Sequence, residues 1–71
     1  MVLTFQTTTA ALAMEALCAR QGLSGRLIPV PVAVTAGCGM AWCAPVSCRT
    51  DLERAAAAAR VSVAGVYELL L

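Results

Sequence analysis

Arg26-Leu27-Ile28-Pro29-Val30-Pro31 is the stretch on which the fold turns. It is apolar, yet Pro29 and Pro31 stand at alternate positions. Each ring fixes φ and removes an amide donor, and each biases the residue before it away from helix. The segment is therefore extended. A strand that carries proline belongs at a sheet edge, where a missing donor costs no ladder bond. Seven residues after Pro31 the chain places Cys38 between Gly37 and Gly39. Two glycines around one thiol leave the sulfur uncrowded and free the backbone for conformations that other residues resist. A buried structural cysteine has no need of that; a thiol that touches another molecule has.

Upstream of this stretch, Val2 to Gln6 alternates, with Leu3 and Phe5 on one face and Thr4 and Gln6 on the other, and predicts a strand. Thr7, Thr8 and Thr9 offer N-cap oxygens for a helix that runs to about Gln21 and stops at Gly22. Its Ala10, Ala13, Met14, Leu17 stripe has helical spacing and is expected to face the core. Downstream, Val32 to Gly37 reads as a loop and Gly39 to Ala44 as a short strand ended by Pro45. Thr50-Asp51-Leu52-Glu53 reads as a capping box opening a second helix, with Leu52, Ala55, Ala56 and Ala59 turned inward. Gly65 to Leu71 reads as a last strand.

The order βαββαβ makes one domain of residues 1–71 and suits an α+β, ferredoxin-like two-layer sandwich. Four antiparallel strands in the order 4-1-3-2 would carry both helices on one face, with the proline strand at an edge. Another two-layer α+β topology stays open. In either case the second sheet face is uncovered, which would expose Val2, Val30, Ala41 and Leu70. Together with Leu69-Leu70-Leu71 and few charges, this predicts a homo-oligomer through that face or the last strand.

The net charge is +1, with five arginines scattered along the chain, so no concentrated basic surface for nucleic acid is expected. Hydrophobic residues make up 61%, and Leu27 to Cys48 holds no charge. A membrane span is nevertheless excluded there, because Pro29, Pro31 and Pro45 with Gly37 and Gly39 break backbone pairing that lipid cannot replace. Met1 to Met14 lacks the basic start and leucine-rich core of a signal peptide. The expected compartment is the cytoplasm, where four cysteines stay reduced.

Cys38, Cys43 and Cys48 are separated by four residues each, which matches neither the close pairs of zinc sites nor iron–sulfur spacings. With no histidine to complete a set, neither a metal nor a cofactor is expected. No Ser-His-Asp set, glycine-rich phosphate loop or carboxylate pair is present, which favours a carrier over a self-sufficient enzyme.

Cys38 sits at a loop–strand junction, where amides of Gly37, Gly39 and Met40 could converge on a thiolate as a nest of donors. A free thiol titrates near pH ~8.5, so modest stabilisation raises its reactive fraction near neutrality. From spacing alone, a tight turn in which cysteine merely fits explains the motif equally well. Cys18 reads as a small apolar filler on the first helix. Cys43 and Cys48 read as structural or incidental, and Cys43 is the better candidate for a resolving thiol. Glu15 is placed at the core boundary, to pair with Arg26 or to act on Cys38. Trp42 shares strand parity with Cys38 and Met40, as core or as a wall beside the thiol.

Phe5, Thr8, Ala11-Leu12-Ala13 and Glu15 precede Gly22, then Arg26 to Pro31, then Cys38-Gly39-Met40-Ala41, with a weaker continuation through Gly65-Val66-Tyr67-Glu68. In that order and spacing the chain resembles the selenium/sulfur carrier-like family, short proteins formerly grouped as a domain of unknown function. The resemblance implies that Cys38 accepts sulfane sulfur or reduced selenium from a donor protein. It would hold the atom as a persulfide or perselenide and pass it to an acceptor protein. Such sequences usually carry a basic residue after Pro31; Val32 stands there in this chain. A competing reading is a non-catalytic interaction and oligomerisation module in which Cys38-Gly39 is only a turn. A third is a redox switch pairing Cys38 with Cys43 or Cys48, at a spacing that lacks Cys-x-x-Cys geometry.

Overall fold

The computed structural model describes residues 1–31 and 39–68. The expectations for Val32 to Gly37, for Cys38 and for Leu69 to Leu71 therefore lie outside the described residues.

A short first strand, β1 (Val2–Thr4), leads into helix α1 (Thr8–Gln21). Thr7 is its N-cap: the hydroxyl oxygen accepts from the Ala10 amide at 3.1 Å, satisfying one of the donors that a helix start leaves open. At the other end Gly22 takes a left-handed φ of 66°, and the Leu23 amide reaches back to the Cys18 carbonyl at 2.9 Å. Both ends fall where the sequence predicts. The buried face differs. It consists of Ala11, Met14, Leu17 and Cys18, while Ala10 is half-buried and Ala13 exposed. Met14 and Leu17 set its direction, and Cys18 completes it because a sulfur gains more from burial than the Ala13 methyl would.

Strands β2 (Arg26–Pro29) and β3 (Met40–Cys43) follow, then a 3-10 turn at Val46–Cys48, helix α2 (Arg49–Ala59) and strand β4 (Gly65–Tyr67). The sheet runs β2-β3-β1-β4, and every neighbouring pair is antiparallel. The proline-bearing strand is at an edge, as its chemistry requires. Leu27, Trp42, Leu3 and Val66 form one cross-strand row. On this side Leu3, Phe5 and Trp42 join the buried residues of α1 together with Leu52, Ala55 and Ala56 of α2 in a single core. The molecule is an α+β two-layer sandwich.

Two expectations are corrected on α2. Thr50 does not cap it. The 3-10 turn runs directly into the helix, so the N-cap is Cys48, which makes no side-chain cap bond. Glu53, expected to reach back to Thr50, instead pairs with Arg49 at 3.1 Å. Ala59 is exposed, because the helix ends there and Arg60 turns the chain away with a left-handed φ of 59°.

The second sheet face is also corrected. Val2, Ala41 and Thr4 have relative exposures of 0%, 0% and 2%, and Val30 is half-buried. Part of the cover comes from Tyr67, whose ring leans over Gly65 toward Thr4. A Cβ at Gly65 would meet the Tyr67 ring at 2.9 Å and Thr4 Oγ1 at 3.2 Å. An aromatic side chain lying across a glycine in a strand shields the short residues beside it.

Candidate functional site

The ladder between β2 and β3 closes with Pro29 opposite Met40, and then with the Val30 amide donating to the Gly39 carbonyl at 3.0 Å. Gly39 and Met40, the described part of the motif, therefore lie at this end of the β2–β3 pair. Cys38 and Gly37 lie outside the described residues. Gly39 is exposed, has φ of 79° and would offer a Cβ no neighbour within 4 Å. The space is open, but the left-handed backbone favours glycine. Met40 is half-buried and packs against the core.

Trp42, on the same parity as Met40, is a core residue with 4% exposure. Its indole N–H donates to the Ser24 carbonyl at 3.2 Å, and its ring lies against Gly25, which has φ of 127°. It braces the approach to β2. Arg26 is opposite Cys43, about 10 Å along the strand from Pro29 and so far from Gly39. Glu15 is exposed on α1. Among the described residues the ion pairs are Arg49–Glu53 and Arg49–Glu68, so the expected Glu15–Arg26 pair does not form.

Among the described residues Cys18, Cys43 and Cys48 are free thiols. Cys18 is part of the core, the filler role expected of it, and burial pushes its thiol pKa up. Cys43 is half-buried on the opposite sheet face from Met40 and Trp42, beside Val2. Cys48 is half-buried against the core. No group of three His, Cys, Asp or Glu that could hold a metal ion occurs among the described residues, and no helix there is long and apolar enough to cross a membrane.

Sequence reasoning missed the Arg49–Glu68 contact, which links the start of α2 to the chain just beyond β4. Nothing local in the sequence marks a pair 19 residues apart. It also missed a cleft of about 370 Å³ between α2 and β4, lined by Glu53, Ala56, Ala57, Val61, Val63 and Val66.

A family model described as Putative Se/S carrier protein-like matches residues 1–68. Comparison with curated proteins and with solved structures finds no match.

Proposed function

We propose that this chain, which belongs to the Se/S carrier-like family, holds sulfane sulfur or selenium on Cys38 and relays it between a donor and an acceptor protein. The observation that carries the reading is the family match, which runs through the Cys38-Gly39-Met40 motif. The exposed, left-handed Gly39 supports it by giving the residue after the thiol open surroundings.

The loading step needs no cofactor. The Cys38 thiolate attacks the outer sulfur of a donor persulfide, and the donor S–S bond breaks with its electron pair leaving on the donor thiolate. Cys38 then carries a persulfide; a selenium donor would give the perselenide by the same displacement. The amides of Gly37, Gly39 and Met40 are the donors that would stabilise the Cys38 anion. The cytoplasm suits this chemistry, because thiols stay reduced there. Burial of Val2, Thr4 and Ala41 weakens the case for self-association through that sheet face, and a homo-oligomer through the last strand stays part of the reading.

Incubation with a cysteine desulfurase and either cysteine or selenocysteine, followed by intact-mass measurement, tests the reading. The parent chain gains one sulfur or selenium and Cys38→Ala gains none. Equal loading of the two chains would sink it.

A further inference from the structure

Resting on the homo-oligomer of that reading, we infer that two copies of the chain join by antiparallel pairing of β4 with β4, with Val66 on the two-fold axis. The sheet order leaves β2 and β4 as its edges, and the two edges are built differently. β2 carries Arg26 and Pro29, a charge and a missing donor, both of which discourage a further strand. β4 reads Gly65-Val66-Tyr67 and has neither. Its inner edge is paired with β1, and the pairing reaches back to the Ala64 amide, which donates to the Thr4 carbonyl at 2.7 Å. Alternate N–H and C=O groups of a strand point away from its partner. Among the described residues no strand receives those on the outer edge of β4.

The residues of β4 select a second copy as that strand. In one antiparallel register all three residues of both strands pair: Val66 faces Val66 across the axis, and each Gly65 faces a Tyr67. The smallest residue meets the largest on both sides of the axis. The Tyr67 ring leans over Gly65 toward Thr4, away from the outer edge, so it does not block the approach. Glu68, the charge next in sequence, is bound to Arg49, and the contact therefore brings no unpaired charge to the axis. A two-fold axis normal to the sheet keeps both helix layers on one side and merges the two four-stranded sheets. Val66 packs against the core from the helix side and lines the cleft of about 370 Å³ between α2 and β4. The second copy's Val66 extends the floor of that cleft, and the two clefts meet across the axis as one trough that a single copy cannot form. Val66 is half-buried in one copy, and its further burial supplies the apolar part of the contact. An interface of three residues a side is small, so the dimer belongs to the weak, exchanging class.

Sedimentation of the parent chain across the micromolar range is expected to show monomer passing to dimer. Cysteine cross-linking then reads the register. Directly opposed residues of an antiparallel pair have Cα atoms about 4.5–5.5 Å apart, inside the range of about 4.4–6.8 Å that a disulfide spans. In this register the two copies of Tyr67 are offset by two positions, which puts their Cα atoms about 8 Å apart. Under mild oxidation Val66→Cys should form its intermolecular disulfide, identified by peptide mapping, at least about tenfold faster than Tyr67→Cys. A dimer in which the two variants cross-link equally, or in which only Tyr67→Cys does, overturns the inference and leaves the oligomer standing. Should Val66→Cys fail to fold by circular dichroism, hydrogen exchange of the parent decides: β4 amides gain protection from monomer to dimer, and unchanged protection overturns the inference. A monomer at every concentration removes the homo-oligomer and this pairing together. Loading of Cys38 is read separately by mass, so a failure of the carrier reading is distinguishable from either result.

Discussion

Gly25→Ala is expected to be among the most damaging single-methyl changes in this chain. Gly25 has φ of 127°, and an added Cβ would lie 2.3 Å from Trp42 Nε1, 2.6 Å from Cε2 and 2.7 Å from the Cys43 carbonyl oxygen. The carbonyl is fixed in the sheet, so the indole and the strand must both give way. The backbone conformation costs about 1–3 kcal/mol for a residue with a Cβ. Overpacking against Trp42 adds about 1–3 kcal/mol. If the ring moves, its N–H loses the Ser24 carbonyl, and an unmade bond at a buried donor costs about 1–3 kcal/mol more. The total, about 3 kcal/mol or more, rivals the ~3–5 kcal/mol that a core of this size supplies. Gly22→Ala is the control, since Gly22 is also left-handed, at 66°, but has nothing within 4 Å of the added methyl. It should lose only about 1 kcal/mol. Urea unfolding followed by the fluorescence of the single tryptophan measures both. Gly25→Ala should be largely unfolded without denaturant while Gly22→Ala keeps a cooperative transition. Equal losses at the two positions would refute the reasoning.

Three further outcomes follow from local geometry. Arg60→Gly should stabilise the fold by about 0.5–1 kcal/mol in urea melts, because Arg60 ends α2 at a φ of 59° that glycine adopts without a Cβ penalty. Thr7→Ala should lose about 1 kcal/mol with the cap bond to Ala10, whereas Thr50→Ala, inside the first turn of α2, should stay within about 0.5 kcal/mol of the parent. Cys18 should resist iodoacetamide that labels Cys43 and Cys48. Its raised native pKa also makes a stabilising contribution that is fully present below the ordinary thiol pKa and is lost as pH rises through the native one. The alkaline fall in urea midpoint should therefore be shallower in Cys18→Ala.

The edge position of β2 was legible because proline chemistry is local: a missing donor and a fixed φ need no knowledge of the rest of the chain. Thr7 and Gly22 were legible for the same reason, each being decided within a few residues. The capping box at Thr50 failed because the helix start was set upstream, by the 3-10 turn after Pro45, which the four-residue pattern does not contain. The face of α1 was ambiguous because alanines surround it, and alanine adds nearly the same apolar signal on every side. Burial of Val2 and Ala41 was hidden from a reading of β1 and β3 alone, since cover such as the Tyr67 ring comes from elsewhere in the chain. The demand for glycine at position 25 comes from Trp42, on a different strand. At the candidate site, the motif around Cys38 stood out by composition. The sheet face that Cys43 takes did not, because it depends on the register of β3 against β1 and β2.

The placement of β1 has a kinetic consequence. It is the first strand to be made, yet it lies inside the sheet, between partners supplied much later: Thr4 bonds to Gly65, 61 positions away. No contact with a neighbour in sequence can hold it in place, so the sheet closes only after large loops have lost their freedom. High contact order of this kind slows folding by orders of magnitude relative to helical bundles of equal size. During synthesis Val2, Leu3 and Thr4 must wait for Ala41 to Cys43 to pair one edge and for Gly65 to Tyr67 to pair the other. That interval is when this chain is most open to aggregation, and a chain stalled before β4 would leave its central strand as an exposed edge.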